Sequence, residues 1–286
     1  DSRNANMYAK LAKVLETEDN LDGAIQFYQI ARTICPDNLD FSLQLYRPIE
    51  QKNKHLSQNI QAKNVIDLEL LRQKLILRQD LQPVVSIIIP VYNKIGYTLN
   101  CLRSIQKNVS ENVAIEVLVI DDGSNDETEE IAKQITGLKY LKNCQNMGFI
   151  NSCNHGASQA KGKYLCFLNN DTEVCLNWLE SMVETIEQDK TVGIVGSKLV
   201  YPNGMLQEAG GVIWSNGEGW NYGRMGNPQA PEFNYLREVD YCSGASLLVK
   251  KEIFDSLDGF EKDFVPAYYE DTDLCFAIRN QLNLKV

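Results

Sequence analysis

An α/β fold with a mostly parallel central sheet and helices on both faces is predicted by three features of this chain. Residues 84–91 form an apolar, largely β-branched run broken only by Ser86 and Pro90, the pattern of a strand covered on both faces. Two further runs of this kind, at 115–120 and 164–168, are separated from it and from each other by helical periodicity. Strand, helix, strand in that order implies parallel pairing through right-handed crossovers. Residues 1–82 carry a helical pattern instead, so a small α-helical hairpin and a linker precede the sheet.

Residues 1–38 place Tyr8, Leu11, Ala12, Leu15, Leu21, Ala24, Ile25, Tyr28, Ala31 and Pro36 at the spacing of two antiparallel helices joined around Glu18-Asp19-Asn20. At Leu11, Ala12, Leu21, Ala24, Tyr28, Ala31 and Pro36 this resembles one tetratricopeptide repeat, whose small residues let two helices approach closely. A lone repeat rarely buries enough surface to stand alone, so it is read either as the end of an array or as a hairpin packed on the next segment of the chain. Residues 39–82 are charged and rich in Gln and Asn, and Val65, Leu68, Leu71, Leu75 and Leu77 give them the stripe of an amphipathic connecting helix. Pro83 ends it.

From 83 to 286 the expected order is strand 84–91, helix 97–107, strand 115–120, helices 126–135 and 151–159, strand 164–168, helix 176–186 and strand 192–199. Residues 200–249 are richer in Gly and aromatics and end in the apolar stretch 245–249, which reads as a mixed or antiparallel extension. Within it Trp214 and Trp220, set among Gly210, Gly211, Gly217, Gly219 and Tyr222, suit either an aromatic loop that stacks on sugars or plain core packing.

Composition limits the function. A formal net charge of -10 over 286 residues argues against a nucleic-acid surface, which needs clustered Lys and Arg. It leaves room for a small anion held through a divalent cation. The apolar runs fall far short of the ~20 residues that cross a bilayer, and the polar start Asp1-Ser2-Arg3-Asn4 lacks a signal-peptide pattern. The eight cysteines, at 35, 101, 144, 153, 166, 175, 242 and 275, form no CxxC pair and read as reduced packing residues of a cytoplasmic protein, one that can work at the inner face of the membrane. A zinc site is disfavoured, because only His55 and His155 are available.

The chemistry lies where strands end. In open parallel sheets ligands bind outside the carboxyl ends of the strands. After the first strand Pro90 stops the ladder and Tyr92 offers a flat face to a base. After the second, Asp121-Asp122-Gly123-Ser124 presents a carboxylate able to accept the N3 proton of uracil or thymine at a turn that Gly123 permits. A turn capped by Ser124 or Asp126 accounts for part of this segment but leaves the doubled Asp unexplained. After the third, Asp171 and the amide oxygen of Asn169 are hard oxygen ligands for Mg or Mn, or else part of a turn capping the next helix. Near the end, Tyr269-Glu270-Asp271-Thr272-Asp273 puts three carboxylates behind Tyr268 and Tyr269 and ahead of the apolar run 274–278. Such a cluster costs folding energy unless it binds something.

Taken in order, Ser86-Ile87-Ile88-Ile89-Pro90-Val91-Tyr92-Asn93, Val119-Ile120-Asp121-Asp122-Gly123-Ser124, Asn146-Met147-Gly148-Phe149, Phe167-Leu168-Asn169-Asn170-Asp171 and Tyr269-Glu270-Asp271-Thr272-Asp273 resemble the signature of the family-2 inverting glycosyltransferases, over about residues 83–286. The resemblance implies a GT-A fold, Rossmann-like, and a sugar moved from a nucleotide-diphosphate donor, a UDP- or dTDP-sugar, to a hydroxyl acceptor in surface polysaccharide or glycan synthesis. It implies that Tyr92, Asp122 and Asp121 contact the nucleoside, that Pro90, Asn146, Gly148 and Asn170 belong to the same donor pocket, and that Gly244 lies in a loop beside the sugar. Asp171 takes the metal-ligand role for Mn or Mg, while Asn169 stands where the family's Asp-x-Asp motif has its first Asp. Enzymes that resemble this chain in having Asn there include many that build cell-surface polysaccharides, often rhamnosyltransferases, so a hexosyl- or rhamnosyltransferase is implied. Asp271 is the expected general base and Glu270 its acceptor-positioning neighbour. The acceptor is a glycan, a lipid-linked sugar or a protein, and the helical repeat suggests a protein partner. The chain stops soon after the acidic pair, where relatives usually continue, so residues 83–286 are expected to be a C-terminally truncated domain. The alternative is a weakly active or inactive nucleotide-sugar-binding or scaffold module of a larger repeat-containing protein. A nucleotidyltransferase would carry a Gly-rich basic loop after the first strand, and Pro90-Val91-Tyr92-Asn93-Lys94 offers one lysine and no such loop.

Overall fold

A computed structural model describes residues 2–34, 44, 48, 51 and 75–286, and the chain divides into two compact units, residues 1–66 and 67–286. In the first, α1 (Ser2–Thr17) and α2 (Leu21–Ile34) pack on each other as a hairpin. Ala5, Ala9, Ala12, Ala24 and Ala31 are buried between them, small side chains that bring the backbones close. Tyr28 is buried too, with its hydroxyl donating to Glu16 Oε2 at 3.1 Å. Leu11, expected in this contact, is exposed on the outer side with Val14, because the buried stripe runs through Ala5, Ala9 and Ala12, four and three residues apart. Pro36 and most of the 39–82 linker lie outside the described residues. Its last part, 75–82, is extended rather than helical: Leu75 and Leu77 are buried while Ile76 is exposed, a period of two, and Ile76 bridges Thr136.

The second unit is built on a six-stranded sheet of order β3-β2-β1-β4-β10-β5. β1 (Val85–Val91), β2 (Ile115–Asp121), β3 (Leu138–Lys142) and β4 (Tyr164–Leu168) are parallel. β10 (Ser246–Lys250) runs antiparallel between β4 and β5 (Ile194–Gly196), which is the antiparallel extension expected from residues 245–249. Alternate residues of these strands feed two cores. Val85, Ile87, Ile89, Val117 and Val119 meet Leu99, Leu102 and Ile105 of α3 (Ile95–Asn108) and Leu179, Met182 and Ile186 of α6 (Trp178–Gln188). Ile88, Leu118, Ile120, Leu165 and Phe167 meet Ile150, Cys153 and Ala157 of α5 (Phe149–Gln159), Ile253 and Phe254 of α7 (Lys251–Ser256), and Leu274, Cys275 and Ile278 of α8 (Glu270–Leu282). Burial on both faces is why β1, β2 and β4 read as continuous apolar runs. Ser86, the polar break in β1, is buried with its hydroxyl donating to Glu116 Oε1.

Four expectations are corrected here. β3 is an edge strand in a segment whose sequence carries no strand pattern. The helix placed at 126–135 is only α4 (Thr128–Ala132), and the strand placed at 192–199 is only Ile194–Gly196. Pro90 does not end β1, since it pairs with Ile120 and the strand runs on to Val91; it is the pairing with β4 that stops earlier, at Ile88. Among the described residues no helix is long and apolar enough to cross a membrane. The seven described cysteines are free thiols, and five of them are buried, in keeping with packing residues.

The antiparallel insertion of β10 has a consequence for chemistry. Its first residue, Ser246, pairs with Leu168, the last of β4, so the loop ahead of β10 opens at the same rim as the carboxyl ends of β1, β2 and β4.

Candidate functional site

At the end of β2, Asp122 is 5% exposed and gathers the following loop. Its Oδ1 accepts from Asn143 Nδ2 and from the Met147 N–H, both at 2.8 Å, and its Oδ2 accepts from the Gly148 N–H at 2.8 Å. Asn143 is in turn buried against the Ser152 hydroxyl and His155 Nδ1, so a histidine without an expected role stands behind the carboxylate. Oδ2 holds one donor, which leaves it a lone pair at the rim. Asp121 is fully buried. Its Oδ1 accepts from the Ser124 N–H, and its Oδ2 from the Tyr140 hydroxyl. Its expected contact with a nucleoside is therefore corrected: Asp121 holds the 121–124 turn, at which Gly123 has φ 80. The loops after β1 and β2 are stitched together by the Asn93 N–H on Ser124 Oγ, the Asn125 N–H on Asn93 Oδ1 and the Ile95 N–H on Asp126 Oδ2. Tyr92, between them and the strand, stays half exposed with its ring available.

Gly148 has φ 85, and a Cβ there would stand 3.1 Å from the carbonyl oxygen of Pro266. Only glycine fits such a conformation and approach without strain. Asn146, expected in the pocket, is exposed beside it, with its Oδ1 accepting from the Gly148 N–H at 3.2 Å.

After β4 the turn 169–172 is held by main chain and by Thr172: the Asn169 N–H donates to Ala245 O, and both the N–H and hydroxyl of Thr172 donate to Asn169 O. Asn170 donates to Thr98 Oγ1 at 3.1 Å, a tie to α3. Asp171 is exposed, and none of the hydrogen bonds of this turn uses its carboxylate or the Asn169 amide. Among the described residues no three His, Cys, Asp or Glu side chains are grouped to hold a metal. One carboxylate and one amide oxygen do fit a divalent ion that takes its remaining oxygens from a diphosphate and water, the usual mode for Mg. They do not make a closed protein cage.

Asp271 lies in the first turn of α8. Its Oδ2 accepts from the Gly244 N–H at 2.8 Å and its Oδ1 from the Thr272 N–H at 2.7 Å, which fixes the carboxylate plane at the rim. Gly244 is buried, with Phe149 and Asp271 as the nearest neighbours a Cβ would meet, so it serves the site by orienting Asp271 rather than through an exposed surface of its own. Glu270 is only 5% exposed, and its Oε2 has no hydrogen-bond partner. Burial, reinforced by the nearby Asp271 charge, raises its carboxyl above the ordinary value. Contrary to its expected place beside an acceptor, it sits inside the rim. Tyr268 and Tyr269, which precede the cluster in the chain, are exposed.

One further carboxyl, which spacing along the chain does not reveal, belongs to this neighbourhood. Glu208, in β7 (Leu206–Glu208), is 2% exposed, and burial together with the Asp271 charge pushes it up to about 7.

Trp214 and Trp220, left open between sugar stacking and core packing, are half exposed, with ring centroids 6.3 Å apart. They stand on the hairpin of β8 (Gly211–Ile213) and β9 (Gly219–Asn221). The hairpin is tied to the acidic cluster by the Tyr269 hydroxyl, which donates to Gly217 O at 3.2 Å.

These contacts join the three acidic segments into one structure. Asp122 holds Gly148, Gly148 packs on Pro266 four residues ahead of Glu270, Asp271 holds Gly244, and Ala245 receives the N–H of Asn169. Asp122, Asp171 and Asp271, far apart in sequence, thus share one rim.

Comparison with known proteins identifies the family and the fold. Residues 86–257, more than half of the chain, match the family described as Glycosyl transferase family 2. The uncharacterised protein y4gI of Sinorhizobium fredii is 32% identical over 69% of this chain and 23% of its own length. The glycosyltransferase AglE of Haloferax volcanii is 38% identical over 43% of this chain and 42% of its own. The chain therefore spans less than half the length of these relatives. Among solved structures, GalNAc-T7 with UDP, GalNAc and Mn2+ superposes with a TM-score of 0.60 at 19% identity, over 81% of this chain and 50% of that one. The mannosyltransferase PcManGT of Pyrobaculum calidifontis, in complex with GDP-Man and Mn2+, gives 0.53 at 17% identity, over 81% and 63%. At that identity the likeness establishes a shared fold, GT-A. Fold, motif order and family match together place the chain in glycosyl transferase family 2.

Proposed function

We propose that this protein transfers a sugar, with inversion, from a nucleotide-diphosphate donor to an acceptor hydroxyl. The observation that carries the reading is Asp271, a carboxylate fixed by Gly244 at the rim where Asp122 and Asp171 also stand. In this reading the base lies against Tyr92, and the remaining lone pair of Asp122 Oδ2 takes its ring N–H. The diphosphate lies beside Asn169 and Asp171, which would hold a Mn or Mg ion. When bound, that ion neutralises charge on the departing diphosphate. The acceptor O–H gives its proton to Asp271, its oxygen bonds to the anomeric carbon, and the bond from that carbon to the diphosphate breaks with its electron pair leaving on the diphosphate oxygen. Attack from the face opposite the leaving group inverts the anomeric centre.

A saccharide acceptor is favoured by the half-exposed Trp214 and Trp220 on a hairpin tied to Tyr269, since aromatic faces pack on sugar rings. Surface-polysaccharide synthesis is the process this suits, as the O-antigen biosynthesis protein RfbC of Myxococcus xanthus is 30% identical over 64% of this chain and 15% of its own length. Replacing Trp220 by Ala is expected to raise the acceptor KM about tenfold, the equivalent of ~1.4 kcal/mol, with the donor KM unchanged; an unaltered acceptor KM would remove the stacking role. The helical hairpin at the start is read as a contact for a protein partner.

The function itself is tested by a thermal-shift panel of sugar nucleotides with and without Mn, followed by donor turnover. A transferase is stabilised by its donor and releases nucleoside diphosphate. Stabilisation with no release would make the chain a binding module instead.

A further inference from the structure

Glu208 is a buried carboxyl that the transfer reaction as derived does not use. It ends β7, where it pairs with Leu199 of β6 (Leu199–Val200). Together with Cys242 and Ser243, which lead into Gly244, it lines a cavity of about 400 Å3. Its Oε1 is buried without any hydrogen-bond partner, a costly state for an ionised oxygen and an uncommon one for a group with no role. The charges that act on it come from separate segments: Asp271 on α8, which disfavours its ionisation, and Arg224 in the turn after β9, which favours it; the hydroxyl of Tyr241, next to Cys242, is in turn pushed up to about 12 by burial, Glu208 and Asp271.

We propose that Glu208 is a positioning residue for Asp271, a second carboxyl beside the 242–244 loop whose charge state sets how firmly Asp271 holds the acceptor's proton. The inference rests on Asp271 being the base. Two neighbouring carboxylates bind a shared proton more strongly than either would alone. Once Glu208 ionises, repulsion across the pair is relieved when Asp271 accepts the acceptor's proton, so proton transfer is easier. Because burial holds Glu208 up to about 7, the gain comes as pH rises through neutrality, and Arg224 sets where in that range it falls.

The test is the pH dependence of kcat, from about pH 5 to about 9, for the wild type, Glu208→Gln and Arg224→Gln, with Asp271→Asn alongside. The wild type is expected to show a limb rising through neutral pH. Glu208→Gln is expected to lose that limb and to be about tenfold slower on the alkaline side, with the donor KM unchanged. Arg224→Gln is expected to move the limb to higher pH, because a cation that favours the ionised form is gone. A folded Glu208→Gln whose limb is unmoved overturns the proposal. Should that variant fail to fold, an Arg224→Gln limb at the wild-type position overturns it equally. An active Asp271→Asn would instead show that the base was misassigned, a separate failure that removes the foundation of both readings.

Discussion

Asp271→Asn is expected to slow transfer by about 10^3-fold, within the range that general-base groups supply, while nucleotide affinity stays close to the wild type. The amide oxygen of the variant still accepts one of the two N–H groups, of Gly244 or Thr272, that bind the carboxylate. Losing the other costs on the order of 1 kcal/mol, too little to unfold the domain. What disappears is the ability to take a proton. Single-turnover rates, together with calorimetric binding of the nucleoside diphosphate, separate the two effects, since an interaction made only in the transition state changes the rate and not the affinity. Full turnover by the variant would remove Asp271 from the role of base.

Asp122→Ala should have its main effect on folding. The substitution removes an acceptor from three donors, the Met147 and Gly148 N–H groups and the Asn143 amide; Gly148 keeps Asn146 Oδ1 and Asn143 keeps the Ser152 hydroxyl, so the Met147 N–H and one Asn143 amide hydrogen lose their partner. A loss of about 2–4 kcal/mol results from leaving such groups unpaired, read as a fall in Tm of roughly 5–15 °C for a domain of this size. Nucleotide binding should fall with it, because the 143–148 loop is released. Asp122→Asn keeps an acceptor and should lose less. An Asp122→Ala protein that melts with the wild type would show that the loop is held by other contacts.

The sheet was legible in the sequence wherever strands are covered on both faces. β1, β2 and β4 carry long apolar runs because helices lie above and below them, and the doubled Asp and the Asn-Asn-Asp segment mark their carboxyl ends. β3 escaped notice because it is an edge strand: Leu138, Tyr140 and Leu141 are only half buried and lysines stand at 139 and 142, so no continuous run announces it. Its omission hid Tyr140, the residue that occupies Asp121 and turns that aspartate from a ligand contact into a support. Leu75 and Leu77 looked helical only as a continuation of the upstream spacing; two residues apart on an extended segment, both reach the core. The candidate site was legible as separate clusters, whereas the filling of each carboxylate oxygen depends on loops that meet only in the fold. For the same reason Glu208, 63 residues before Asp271 by their numbers, gave no sign of its neighbour.

The central claim is that the rim shared by Asp122, Asp171 and Asp271 binds a sugar nucleotide in one orientation. A crystal structure with an intact donor and Mn tests it most directly. The account predicts the base against Tyr92, the diphosphate beside Asn169 and Asp171, and the anomeric carbon facing Asp271. A donor bound away from this rim, or lying on it with its sugar directed away from Asp271, would contradict it.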